Sequence, residues 1–352
     1  MSAEPAPPIT RDHGVFLTGT ASWLPRQVPV TEEVEQGRCA PETASASEML
    51  SVTVAEGEEV AAELAVRAAH RLWQLPGCDP AQVGLMLHAT CFEQGLEVWA
   101  PASYVQRRAL GGNRCPAVEV RQASNGGLAA MYLAAGWLTA FRSSSSVLIT
   151  TADRFALPSS DRWEMDPGTV YADGGTATIL STTGGFARIL GLSVVSGAEL
   201  EGLHRPGEPD GPAVADYRRP VDLTSQKKNF LRLNGLRDTL AAIEEGQRLA
   251  LDAALAAAEV KLADIDWFVL PHFIRKRLQS NYLRPLGIDL AATTWAWNRQ
   301  VGHLGPGDQF ASLEHLQHTG KLQPGARCLL MAVGAGFSWS CAVVSIEDPA
   351  AR

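Results

Sequence analysis

The chain has 352 residues, 46% of them apolar and 19% charged, a composition that argues against disorder and leaves ample material for a large core. With 30 lysines and arginines against 38 acidic residues the net charge is −8, which excludes nucleic acid as the main partner because phosphate binding needs a basic face. Length alone suggests two or three globular units.

The Pro-rich start, residues 1–12, has no basic stretch followed by an apolar one, and no apolar run approaches the ~20 residues of a membrane span. Cysteines 39, 78, 91, 115, 328 and 341 form no C-x-x-C pair and read as free thiols in a reducing cytoplasm. Residues 14–20 predict a buried strand, 41–57 a polar loop and 58–75 a helix. Strand 83–89 and helix 100–110 follow. Next come strand 117–122, a turn at 124–127, a helix to 141 and strand 147–152. Residues 171–180 predict a loop opening into another strand.

Near residues 184–185 the pattern restarts with strand 187–195, a polar excursion over 197–225 and a long helix over 236–260. Strand 266–270, helices 273–286 and 310–318, and strands 327–333 and 341–346 complete it. Strands alternating with helices imply mostly parallel sheets covered by helices. Two similar stretches, 1–183 and 184–352, suggest a duplicated α/β fold.

Four constellations could carry chemistry. Strand 117–122 runs into Ser124, then Asn125, Gly126 and Gly127, then an apolar helix. A hydroxyl raised there onto a helix N-terminus is either a nucleophile beside backbone N–H groups or an ordinary N-cap. The loop from Gly302 to Asp308 brings His303 and Asp308 within five residues. They read either as a base with its orienting carboxylate or as a surface turn and a cap. His272 follows strand 266–270 at the end of the sheet, where α/β sites form, and precedes Arg275, Lys276 and Arg277. That basic run suits a phosphate or acidic partner, or is a solvated helix face; Lys227, Lys228 and Arg232 form a second basic cluster. Small residues at 332–336 allow an oxyanion donor or a plain tight turn. His204 lies in the polar excursion, where local sequence says little.

In order, these segments resemble the ketoacyl synthase III branch of the thiolase superfamily. The resemblance runs from residues 15–25 through Tyr171-Ala-Asp-Gly-Gly-Thr-Ala, residues 320–325 and Gly334-Ala-Gly-Phe-Ser-Trp to the C-terminal strand. It implies a thiolase-like α/β fold whose duplicated halves form five αβαβα layers, and a homodimer. Condensing members carry Cys where this chain has Ser124, and His and Asn at the positions of His272 and His303. The Ser and the His–Asp pattern are similar to a divergent acyltransferase subgroup of antibiotic and polyketide biosynthesis, including the priming enzyme of anthracycline pathways.

The resemblance implies a Ser124–His303–Asp308 triad, with His272 and His204 as further catalytic residues. It also implies an oxyanion hole from the N–H groups of Ser124 and Ala335, and carrier or coenzyme A binding by Arg275, Lys276 and Arg277. Trp99, Trp295 and Trp297 are candidates to line the acyl pocket. A serine hydroxyl is a weak nucleophile without a base, so replacing Cys by Ser and Asn by His are mutually explanatory. The expected activity is acyl transfer through acyl-Ser124, from an acyl carrier protein, an iterative polyketide synthase or coenzyme A. The acceptor is a carrier thiol or a hydroxyl or amine of a small molecule. No bound cofactor or metal is expected, since the substrate rides on phosphopantetheine. Two alternatives stand beside it: a starter-unit synthase that condenses with malonyl carrier by decarboxylation, and a non-catalytic partner that binds acyl carriers.

Overall fold

The computed structural model describes residues 6–96, 98–141, 146–207 and 219–348. In chain order its strands are β1 (Ile9–Thr10), β2 (Phe16–Trp23), β3 (Arg26–Pro29), β4 (Ser51–Val54), β5 (Val83–Ala89) and β6 (Ala117–Val120). Then follow β7 (Ser146–Asp153), β8 (Gly174–Ser181), β9 (Ala187–Ser196), β10 (Trp267–Val269), β11 (Arg327–Gly334) and β12 (Ser338–Ile346). Among the described residues nine of these form a sheet in the order β10-β11-β12-β9-β2-β8-β7-β5-β6, with β1 added on β9.

The connectivity repeats about the β2–β9 pair, where Phe16 meets Arg188 and Leu17 meets Ala187. On one side β2, β8 and β7 are antiparallel neighbours and β5 joins β7 in parallel. On the other, β9, β12 and β11 are antiparallel and β10 joins β11 in parallel. The expectation of mostly parallel sheets does not hold: among the strands of the described residues only β5 with β6 and β7, and β10 with β11, pair in parallel, and the other pairings are antiparallel. Those parallel neighbours need long crossovers, and helices between the strands supply them.

Two of those helices, Gly126–Phe141 and Asp308–His318, lie between the half-sheets and share one core with both, including Leu128, Met131, Phe310, Leu313, Ile149 and Leu330. Helix Ala61–Leu72 covers the outer face of β2, β7 and β8, and helix Leu236–Ala258 that of β9 and β12. The result is five layers, α, β, α, β, α. Burial on both sides explains why β7 and β8 contain no exposed residue and why helix Asp308–His318 shows little amphipathic patterning.

Some local expectations need correction. Residues 41–57, expected as loop, hold helix Pro41–Ser47 and β4, which pairs with β3. Pro41 starts the helix where its missing N–H costs nothing, and Val52 is fully buried. Helix Leu223–Asn234, within and beyond the polar excursion, is capped by the Asp222 carboxylate accepting from Ser225 N. Residues 208–218 of that excursion lie outside the described residues. The helix expected over 273–286 is three pieces, with a π-helical turn at Gln279–Leu283. Helix Trp295–Val301, not anticipated, precedes the loop of His303.

Candidate active site

Ser124 sits in a single 3-10 turn, Ala123–Asn125, between β6 and the buried helix Gly126–Phe141. Ala123 just before it has φ of 46°, a left-handed conformation that costs a non-glycine residue free energy and turns the chain sharply. Close packing holds the turn. A Cβ on Gly334, at the end of β11, would stand 2.2 Å from the Gln122 carbonyl oxygen and 2.8 Å from Asn125 N. Gly127 is equally tight, 2.2 Å from the Pro306 carbonyl oxygen. The loop after β11, the Ser124 turn and the loop of His303 therefore interlock through backbone contacts.

His303 comes to Ser124 across 179 residues: its Nε2 is 2.7 Å from Ser124 Oγ. Its Nδ1 is 2.6 Å from Asp308 Oδ2. Asp308 opens the inner helix and is not its cap; Gly307 holds that position. Its Oδ1 accepts from Leu304 N at 2.8 Å and its Oδ2 from His272 N at 2.8 Å. Burial alone would push the Asp308 carboxyl up, but His272, His303 and these hydrogen bonds hold it below the ordinary carboxylate value. An ionised Asp308 can only accept, so His303 Nδ1 carries a proton and Nε2 is free to take one from Ser124. His303 and Asp308 are both buried, whereas Ser124 is half-buried at the floor of a cavity of ≈ 240 Å³.

His272 is placed differently from the expectation. One ring nitrogen, Nδ1, lies 2.8 Å from the Gly302 carbonyl, which can only accept, so Nδ1 is the donor; Nε2 then accepts from Ser312 Oγ at 2.8 Å. The ring is wholly buried, packs edge-on to Trp297 and does not line the cavity. Burial keeps its pKa low despite Asp308 nearby, so it stays neutral. Its contacts tie Gly302, Ser312 and Asp308 together behind the Ser–His pair.

The cavity is lined by Phe92, Phe155, Tyr171, Phe273 and Phe337, with Met165, Cys91, Thr169, His204, His303 and Ala335. These aromatics replace the expected tryptophans. Trp295 is core, Trp297 packs on His272 and His315, and Trp99 packs on Tyr104. Local sequence gave no signal for Phe92 or Phe155, and marked Tyr171 only as the start of the Tyr171-Ala-Asp-Gly-Gly-Thr-Ala segment; the three come from loops far apart in the chain.

Cys91, the one cysteine lining the cavity among the described residues, is no rival nucleophile. Burial and the neighbouring Asp153 carboxyl push its thiol well above the ordinary value, so it carries no thiolate.

The basic run divides. Arg277 turns inward, donating to Asp166 Oδ2 at 3.0 Å and Thr169 Oγ1 at 2.7 Å while stacking on Phe273 at 3.9 Å. Lys227 binds the other oxygen of Asp166. Arg277 is thus committed to an ion triad on the cavity wall, in which Asp166 is buried and the two cations are half-buried. Arg275 is exposed and paired with Glu48 at 3.3 Å, and Lys276 lines a groove of ≈ 650 Å³ that shares Thr169 and Arg277 with the cavity.

Residues 255–346 match the family model for the C-terminal part of 3-oxoacyl-[acyl-carrier-protein] synthase III. The chain is similar to beta-ketoacyl-[acyl-carrier-protein] synthase III of Salmonella paratyphi A, at 26% identity over 339 residues covering 93% of this chain and 98% of that protein. It is similar to the solved structure of ChlB3, an acyltransferase, at 34% identity with a TM-score of 0.88, covering 96% of this chain and 98% of that one. Xanthomonas campestris OleA shares the fold, with a TM-score of 0.71 at 18% identity over 94% of this chain and 98% of that one.

Proposed function

The chain belongs to the ketoacyl synthase III-like, acyl-transferring enzymes of the thiolase superfamily, and from that premise we propose that it is an acyltransferase of secondary metabolism working through an acyl-Ser124 ester. The observation that carries this reading is the unbroken line Ser124 Oγ–His303 Nε2 at 2.7 Å and His303 Nδ1–Asp308 Oδ2 at 2.6 Å.

In the first half-reaction Ser124 Oγ attacks the carbonyl carbon of a thioester on an acyl carrier protein, a polyketide synthase or coenzyme A. Its proton passes to His303 Nε2. The tetrahedral oxyanion is met by the N–H groups of Ser124 and Ala335. The C–S bond breaks and the thiol leaves with the proton from His303. In the second, the acceptor (a carrier thiol, or a hydroxyl or amine of a small molecule) gives its proton to His303 and attacks the ester carbonyl. The C–Oγ bond then breaks and Oγ recovers the proton. Asp308 keeps His303 in the working tautomer and offsets the imidazolium charge. Phosphopantetheine is substrate here, and the groove lined by Lys276 and Ser280 offers its arm a route to the cavity.

Decarboxylative condensation needs donors to hold an enolate in the cavity. Both ring nitrogens of His272 are occupied elsewhere, which favours transfer over condensation. The homodimer belongs to the same proposal; the edge strand β6, with Val118 48% exposed, is open to pairing.

Intact-mass measurement with a panel of acyl-pantetheine thioesters tests the reading. Wild-type protein should gain the acyl mass, Cys91→Ala should still gain it, and Ser124→Ala should not. An adduct that survives Ser124→Ala, or malonyl-dependent release of carbon dioxide with a ketoacyl product, overturns it.

A further inference from the structure

Several buried side-chain nitrogens and oxygens have no hydrogen-bond partner among the described residues, including His88 Nε2, Asn125 Oδ1, Gln309 Oε1 and Trp339 Nε1. Of that set only His204, through Nδ1, belongs to a residue that lines the cavity above Ser124. We propose that His204 selects the acyl group, and that the group transferred carries an oxygen substituent, hydroxyl or keto, which hydrogen-bonds this imidazole. The inference rests on the acyl-Ser124 reading for its chemistry, and its test separates the two.

His204 ends a 3-10 segment, Ala198–His204, that packs against helix Leu223–Asn234, and its ring lies 5.4 Å from that of Phe337. Burial, with Lys227 and Arg277 adding to it, lowers its pKa to about 3, so it is neutral at physiological pH. A neutral imidazole has one N–H and one acceptor nitrogen, and both need partners once water is displaced. Nδ1 is itself buried, so an occupant of the cavity reaches it by a half-turn of the ring about the Cβ–Cγ bond, a soft two-fold torsion.

The rest of the lining supplies His204 with no partner. Phe92, Phe155, Met165, Phe273 and Phe337 offer no hydrogen-bond donor, Asp166, Arg277 and Thr169 bond to one another and to Lys227, Ser124 Oγ is engaged with His303, and neither Tyr171 nor Cys91 hydrogen-bonds His204. An unsubstituted alkyl chain filling this space would expel water and leave His204 unpaired. A site with such a group rejects the analogue that lacks the matching oxygen far more strongly than an apolar pocket rejects an extra one. At the ~30 Å³ of a liquid water, ≈ 240 Å³ is the space of about eight waters, so the group is small.

The test uses hexanoyl-pantetheine and analogues bearing one hydroxyl or one keto group at successive carbons. Equilibrium binding to Ser124→Ala is measured by calorimetry, and acylation of wild-type protein by mass. At least one oxygenated analogue should bind roughly ten- to hundredfold more tightly than hexanoyl-pantetheine. The hydroxyl and keto arms show which oxygen is read. In His204→Leu and His204→Phe the preference should collapse to about unity. Equal binding of all analogues to Ser124→Ala overturns the proposal, as does a preference that persists in either apolar variant. The substrate comparison does not depend on those variants folding. If the preference is present but wild-type protein forms no adduct, the acyl-Ser124 reading fails and the role of His204 stands.

Discussion

Asp308 Oδ2 lies 2.6 Å from His303 Nδ1, and the same carboxylate accepts two backbone N–H groups, from His272 and Leu304. Three donors on one buried carboxylate keep it ionised and leave it one orientation. The imidazole it faces is thereby locked with Nδ1 protonated and Nε2 toward Ser124.

Asp308→Asn keeps the shape and reverses the hydrogen-bonding logic. The amide N–H₂ would drive His303 to the other tautomer and leave Nε2 unable to accept. The acylation rate, followed by rapid-quench mass measurement, should fall by on the order of 10³–10⁴-fold with little change in thioester binding. An unchanged rate would remove Asp308 from the triad.

His272→Ala removes the tie between Gly302 and Ser312 without touching the cavity wall. A positioning role predicts a roughly 10- to 100-fold fall in kcat with KM nearly constant. His272→Asn, which can both donate and accept, should recover part of it. A large rise in KM instead would mean that the ring meets substrate.

Gly334→Ala inserts a methyl 2.2 Å from the Gln122 carbonyl oxygen, directly against the turn of Ser124. Overpacking of this kind costs about 1–3 kcal/mol. Melting should drop accordingly, and acylation should fall by more than the lost stability explains, because Ser124 Oγ leaves the reach of His303. Wild-type acylation in the variant would show the turn to be held by other contacts.

Asp166 predicts a pH dependence of stability. Burial raises its carboxyl, but Arg277 and Lys227 outweigh that and hold it at about 2, below the ~3.9 of an unfolded chain. Between those values the unfolded state binds more protons, so this stabilisation is complete above about pH 4 and is lost as pH falls toward 2. Burial holds Lys227 itself below its ordinary value, so the triad contributes less than the carboxylate shift alone implies, about 1–2 kcal/mol. Chemical denaturation from pH 7 to 2 should show this limb in wild-type protein and its loss in Asp166→Asn. An identical limb in the variant would assign it to other carboxylates.

Ser124, His303 and Asp308 stood out as candidates in the sequence because each lies in a short motif, a strand–turn–helix junction or a Gly-rich loop with two polar residues; local pattern left a cap or a surface turn equally open, and only the family resemblance joined the three into a triad. The α/β alternation was legible for the same reason, since strands such as Val83–Ala89 and helices such as Pro101–Leu110 announce themselves by period and punctuation. Residues 41–57 misled because a Ser- and Glu-rich surface hides one buried strand, Ser51–Val54, that distant partners stabilise: β3, helix Trp295–Val301 and the carbonyls of Asp173 and Gln300. What tertiary structure alone decided is direction. Packing of the two inner helices between the half-sheets brings His303 to Ser124, turns the ring of His272 away from the cavity, and sets Cys91 beside Asp153. A cysteine count can show that no thiol occupies the nucleophile position. Whether a cysteine near the serine could replace it depends on burial and on a neighbouring charge, and both arise only when distant strands pack together.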